Sequence, residues 1–264
     1  MKFQLGLVGG GVMGEAILSR LIASNIYSPS DICVSDPMPE RRDLLAKKYG
    51  VQTTPNNLVA AEAEIMLLAV KPQSLNAAAI GLADSPAPCV VSILAGVTLA
   101  QLEAMFPSKS IIRAMPNTPA QVGAGVTAIA ANALATSEHL GLARKIFSAV
   151  GTVVEVAESL MNAVTGLSGS GPAYVAVMIE AMADGGVAAG LPRAIALQLA
   201  TQTVLGTAQL ITETKLHPAQ LKDQVTSPAG TTIAAIAQLE KAGLRSAMIE
   251  AVLAATRRAD ELGK

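Results

Sequence analysis

The 264-residue chain has no tryptophan, and aromatic residues make up 2% of it, so its core has to be aliphatic. Cysteine is scarce as well. Cys33 and Cys89 each lie in an apolar strand-like run, with no further pair at disulfide or metal-ligand spacing, which points to buried free thiols in a reducing cytoplasm. Nor is there an excess of charge of either sign. With 19 Lys and Arg against 20 Asp and Glu, interspersed, the chain has no basic footprint, and neither nucleic acid nor an anionic membrane is an expected partner. The N-terminus carries one lysine and then a glycine-broken apolar segment, without the continuous hydrophobic stretch or small-residue cleavage site of a signal peptide. No run of about 20 residues lacks both charge and glycine, so no membrane span is expected.

What is present is a hydrophobic content of 51%, enough for a large core, and a change of pattern part-way along the chain. Strands and helices alternate up to Thr165-Gly-Leu-Ser-Gly-Ser-Gly-Pro-Ala-Tyr174; beyond it every segment reads as helix. The expected fold class is α/β: a Rossmann-type domain over residues 1–164 and an all-helical domain over 165–264. The Thr165–Tyr174 stretch reads as a kink at a domain junction, either facing a ligand or serving as an ordinary loop before a buried helix.

In the first half, the apolar strand Phe3–Val8 runs directly into Gly9-Gly-Gly-Val-Met-Gly14 and then a helical pattern. This is GxGxxG in its proper setting: Gly9 for the tight turn, Gly11 for backbone approach to a pyrophosphate, Gly14 for close packing of helix on strand. A second strand ends at Ser35, beside Asp36. An acidic residue there argues for the ribose hydroxyl of NAD, whereas Arg41 and Arg42 just after it argue for the 2′-phosphate of NADP, and the balance leans slightly to NADP. The apolar run Ile65–Val70 ends in Lys71-Pro72, and Ala69 to Pro72 should border the cofactor because ligands gather at the carboxyl ends of parallel strands. Lys71 reads equally as a ligand or as a charged residue leaving a strand. Further strands are expected at Cys89–Leu94, Ser110–Met115, Val126–Ala130 and Thr152–Val156. Asn117, between two prolines, reads either as a turn former or as an amide pointing into the cleft, and His139 as an exposed helix residue.

In the second half, Glu180 and Asp184 share one helix face but have no histidine or third carboxylate nearby, so they read as a solvated edge and no metal is expected. The helix Arg193–Thr214 has too broad an apolar surface for a monomer, which argues for an obligate dimer. Val225-Thr-Ser-Pro-Ala-Gly-Thr-Thr-Ile233 crowds hydroxyls, a proline and a glycine ahead of a helix; Thr231 or Thr232 is expected to cap it, and the N–H groups around Gly230–Thr232 to form an anion site.

Taken together, Gly9–Gly14, Ala69-Val-Lys-Pro72, Met115-Pro-Asn-Thr-Pro119, Leu167-Ser-Gly-Ser-Gly-Pro-Ala-Tyr174 and Gln220-Leu-Lys-Asp-Gln-Val-Thr-Ser-Pro-Ala-Gly-Thr-Thr232 resemble pyrroline-5-carboxylate reductase over nearly the whole chain. The resemblance implies reduction of 1-pyrroline-5-carboxylate to L-proline, the last step of proline synthesis, with NADPH or NADH, by a homo-oligomer built from dimers. It implies cofactor contacts at Val8, Gly9, Gly10, Gly11, Val12, Met13, Ser35, Asn56, Ala69, Val70, Lys71, Pro72, Ile93, Leu94, Ala95 and Gln224. It places substrate contacts at Glu158, Ser227, Gly230, Thr231 and Thr232, with the Thr232 hydroxyl as the catalytic group that hydrogen-bonds the ring nitrogen. Thr231 stands where some relatives carry a smaller residue, and Gln224 where an Asn is common. Ser168–Pro172 are then expected to floor the cleft, and Thr226–Thr232 to grip the substrate. Two alternatives have different signatures. A β-hydroxyacid dehydrogenase needs a Lys near the interdomain helix with an Asn beside it, and Thr165–Gly190 contains neither; a nucleotide-sensing protein would keep the fold without turnover.

Overall fold

Apolar runs too short for helices become strands buried on both faces. In the computed structural model, which describes residues 2–263, β1 (Phe3–Val8), β2 (Ile32–Ser35), β3 (Gln52–Thr54), β4 (Ala63–Leu68), β5 (Cys89–Ser92), β6 (Ser110–Met115), β7 (Gly125–Ala131) and β8 (Gly151–Glu155) form one sheet of order β3-β2-β1-β4-β5-β6-β7-β8. Neighbours from β3 to β6 are parallel; β7 runs against β6, and β8 is parallel to β7. Along β4, Ile65 and Leu67 enter one hydrophobic cluster and Met66 and Leu68 another, so alternate side chains feed the two faces.

Helices α1 (Val12–Ala23), α2 (Pro39–Tyr49), α3 (Asn57–Ala60), α4 (Leu75–Ala78), α5 (Leu99–Met105) and α6 (Ser137–Ser148) connect the strands. Then follow α7 (Met161–Val164), α8 (Gly171–Ala188), α9 (Arg193–Thr214), α10 (Pro218–Gln224), α11 (Thr231–Lys241) and α12 (Leu244–Leu262). The chain forms two compact units, residues up to Ser170 together with Ala254 onward, and Gly171–Leu253. Thr165 to Ser170 therefore stay with the sheet, whereas the sequence boundary falls before Thr165; the last turns of α12 also belong to the sheet-bearing unit.

Three sequence expectations change here. β3 was not anticipated, because Gln52-Thr-Thr54 has no apolar run and is a strand only through its pairing with β2. The expected kink is largely helical, with Ser170 as a bend just before α8. Thr165–Gly169 forms a π-helical turn between α7 and α8, closed by Ser170 N–H donating to Thr165 O at 2.9 Å. Thr165 Oγ1 and Ser168 Oγ bond back to Met161 O and Val164 O, which satisfies carbonyls that the wide turn loosens. Finally, α9 is long and apolar enough, by length and composition alone, to cross a membrane, since its single Gly206 lowers hydropathy little.

In the second unit the buried residues Ala183, Ala196 and Ala200 form a small cluster between α8 and α9. Large apolar side chains on the same helices are exposed, Val177 at 65% and Leu205 at 58% among them.

Candidate active site

The register of the sheet aligns six parallel strands in one row near their carboxyl ends. Thr54 pairs with Ser35, Ser35 with Val8, Val8 with Leu68, Leu68 with Ser92, and Ser92 with Arg113. Residues that follow this row collect along one edge: Gly9–Met13 after β1, Asn56 after β3, Ala69–Pro72 after β4 and Ile93–Ala95 after β5. Gly9 sits at φ +105°, open to glycine, and a Cβ there would meet Ala69 O at 2.7 Å. A Cβ on Gly14 would meet Gly9 O at 2.5 Å, whereas one on Gly11 would meet no atom within 4 Å and would project into open space. Gly11 is also the N-cap of α1, with no side-chain cap. Free helix N–H groups behind an open backbone fit a pyrophosphate.

The end of β2 carries more structure than its sequence announces. Asp36 is buried; its Oδ2 accepts Gly10 N–H and its Oδ1 accepts Met38 N–H, both at 3.0 Å. Arg42 Nη1 donates to Asp36 O and Pro37 O, clamping the turn. Arg41 crosses to the fingerprint, where its Nε donates to Gly10 O and its Nη2 pairs with Glu15 Oε2 at 2.5 Å. Glu15 Oε1 also accepts from Lys48 Nζ at 2.9 Å and Tyr49 OH at 2.8 Å. Burial would raise the Glu15 pKa, but the donors Lys48, Tyr49 and Arg41 outweigh it and hold the carboxyl down at about 2. Lys71 and Asn56 are exposed, and the Asn56 side-chain oxygen caps α3 by accepting Leu58 N–H at 2.9 Å.

Glu158 lies in the sheet-bearing unit, in a network the sequence did not disclose. Its Oε1 accepts Leu99 N–H at the start of α5 and Arg113 Nη1 at 3.3 Å. Arg113, buried at the end of β6, also reaches Asn162 Oδ1 at 3.4 Å, and Asn162 Nδ2 donates to Asp260 Oδ1 of α12 at 2.6 Å. The available signal was the single arginine within Ser110-Ile-Ile-Arg-Ala-Met115: a charge in a strand buried on both faces needs partners.

In the second unit, Gln224 ends α10 and Thr226 Oγ1 bonds back to Lys222 O at 2.6 Å. The turn Ser227–Gly230 is closed by Gly230 N–H to Ser227 O at 3.1 Å, with Ala229 at φ +55°. A Cβ on Gly230 would come within 2.3 Å of Ser227 Oγ. The expected threonine cap is not formed. Gly230 is the N-cap of α11 without a side-chain cap, and Thr231 and Thr232 are its first two residues, so the first-turn N–H groups are left for a ligand. The contrast is with α5, α6 and α10, each closed by a capping box. Gln224, Ser227 and Gly230–Thr232 thus lie in this unit, within one stretch from the end of α10 to the start of α11, and Glu158 lies in the other.

Residues 158–262 match a family described as pyrroline-5-carboxylate reductase dimerisation, and residues 4–96 one described as NADP oxidoreductase, coenzyme F420-dependent. A pyrroline-5-carboxylate reductase of Synechocystis sp. is 63% identical over 100% of both chains. One from Methanosarcina acetivorans is 48% identical over 99% of this chain and 98% of its own. The chain belongs to the pyrroline-5-carboxylate reductase family. Solved structures are similar throughout: a pyrroline-5-carboxylate reductase from Coxiella burnetii at TM-score 0.93 and 39% identity, and the Plasmodium falciparum pyrroline carboxylate reductase with NADP bound at 0.90 and 29%, each covering 100% of both chains.

Membership of the pyrroline-5-carboxylate reductase family removes the β-hydroxyacid dehydrogenase alternative, and the geometry settles several open residues. Asn117 is a structural amide: its Oδ1 accepts Val126 N–H at 2.9 Å and its Nδ2 donates to Ser168 O at 3.1 Å, tying the loop after β6 to β7 and to the π-helical turn. His139 is half-buried rather than exposed, because its Nδ1 accepts Thr136 N–H in the capping box of α6. Asp184 pairs with Arg193, and among the described residues no cluster of His, Cys, Asp and Glu is built to hold a metal.

Proposed function

We propose that the chain reduces 1-pyrroline-5-carboxylate to L-proline with NADPH in preference to NADH, as a cytoplasmic homo-oligomer built from dimers. The observation that carries the reading is the pair of glycine-capped helices, α1 and α11, both without a side-chain cap. One suits a pyrophosphate and the other a carboxylate.

The bound nicotinamide supplies the hydride to the imine carbon. The chain's own residues have little chemistry to add, because a protonated imine is already a good hydride acceptor, so holding the substrate dominates. The N–H groups of Gly230–Thr232 hold the carboxylate. The half-buried Thr232 hydroxyl hydrogen-bonds the ring nitrogen and keeps its proton in place through the reaction. Ser227 stands behind Gly230, and Gln224, at the end of α10, is a cofactor contact. Glu158, held by Arg113, is a further substrate contact.

The cofactor edge is formed by Val8–Met13, Ser35, Asn56, Ala69–Pro72 and Ile93–Ala95. NADPH is favoured because both oxygens of Asp36 already accept backbone N–H groups, while two guanidinium groups stand at the end of β2. The exposed apolar surface of α8 and α9 is covered by a second copy; the match of residues 158–262 to a dimerisation family favours protein over lipid there, and the balanced charge offers nothing to nucleic acid.

Thr232→Ala tests the mechanism. Removing this hydrogen bond is expected to cost about 1 to 3 kcal/mol of transition-state stabilisation, read as a lower kcat with the cofactor Kd unchanged. Unchanged kcat would reject the role.

A further inference from the structure

Two side chains on different helices meet over the fingerprint turn, and no part of the reaction accounts for them. Glu15 lies in the first turn of α1, yet it does not face the pyrophosphate position as an anion alone, because its two oxygens are shared among Arg41, Lys48 and Tyr49. Arg41 and Lys48 are seven residues apart, two turns of α2, and so share a face. One carboxylate therefore receives both ends of α2. The consequence for Arg41 is a fixed position: Nε on Gly10 O, Nη2 on Glu15, and Nη1 with no partner among the described residues. It stands between the open backbone of Gly11 and the end of β2, where the adenosine ribose of a dinucleotide lies in this fold.

We propose that Glu15 is a positioning residue for 2′-phosphate recognition, holding Arg41 in place over the Gly10–Gly11 turn so that its free edge meets the phosphate without first losing its freedom. The inference rests on the NADPH reading above. An arginine has many rotamers, and a planar fork fixed before binding loses less on contact than a mobile one. The donors that hold the Glu15 pKa down at about 2 keep the anchor ionised at neutral pH. The opposite effect also has to be weighed: a carboxylate near a phosphate repels it. Three donors on one carboxylate neutralise most of that repulsion, so positioning wins, and the sign of the mutational effect decides between the two.

The test is calorimetric binding of 2′,5′-ADP and 5′-AMP to the full-length protein, with Glu15→Ala, Glu15→Gln and Arg41→Ala beside the parent. These probes differ only in the 2′-phosphate and need no turnover. Glu15→Ala should weaken 2′,5′-ADP by about threefold to fivefold, the size of a partly buried ion pair, and leave 5′-AMP unchanged. Glu15→Gln, which can still accept from Arg41, should restore part of the loss. Tighter or unchanged 2′,5′-ADP binding in Glu15→Ala, or equal losses for both probes, overturns the proposal. If Arg41→Ala alone weakens 2′,5′-ADP, the positioning role falls and the NADPH reading stands. A parent protein that binds both probes equally removes the NADPH reading itself.

Discussion

At the scale of single residues, the chemistry of this chain is decided by which polar groups are already occupied. Asp36 is spent on backbone N–H groups, Asn117 on Val126 N–H and Ser168 O, and Glu15 on three donors, whereas Ser227, Thr231 and Thr232 lie at an uncapped helix start. The two thiols belong to the occupied class through burial. It pushes Cys33 up to about 11, with Lys2 and Glu62 as lesser influences, and Cys89 up to about 12. Both thiols should therefore be inert at neutral pH. A disulfide-exchange dye is expected to react with neither in the native protein and with both after unfolding; reaction of either in the folded state would contradict the placement of β2 and β5.

At the scale of elements, the strand-to-helix turn after β1 separates glycines with no room for a side chain, Gly9 and Gly14, from Gly11, which has room for one. Gly14→Ala drives a methyl to within 2.5 Å of Gly9 O and should lower Tm, whereas the methyl of Gly11→Ala meets nothing within 4 Å. Gly11→Ala should keep the parent Tm and weaken dinucleotide binding by about tenfold or more, as a blocked backbone contact to phosphate would. Parallel loss of Tm and affinity in Gly11→Ala would argue against this division. The same turn shows how much was legible beforehand. β1 and β6 fall on their expected bounds because each is an apolar run closed by glycine or proline, and α9 because Pro192 marks its start. β3 was hidden because its polar residues pair only through backbone. The π-helical turn was hidden because glycines that read as a break are tolerated in a helix supported from below: Asn117 holds Ser168 O, and Met115 packs where a Cβ on Gly169 would sit. The capping of α11 was misread because threonine is a good N-cap, while the turn from Ser227 gives that place to Gly230. The Arg113–Glu158 and Arg41–Glu15 pairs join residues 45 and 26 apart, separations to which no local pattern points.

At the scale of the whole molecule, the two units divide the work. The sheet-bearing unit has a hydrophobic cluster on each face, mostly aliphatic with Phe106 and Phe147 buried among it; the second unit buries three alanines and leaves large apolar side chains outward. Such a unit gains stability from a partner, in keeping with the family's dimerisation region. The central claim is that these parts make a reductase and not a nucleotide sensor on the same scaffold. The most direct measurement mixes the protein with NADPH and 1-pyrroline-5-carboxylate, follows the loss of reduced-nicotinamide absorbance and assays the product. The account predicts oxidation that depends on the imine, with one L-proline formed per NADPH consumed. NADPH that binds but is not oxidised when the imine is present would contradict it.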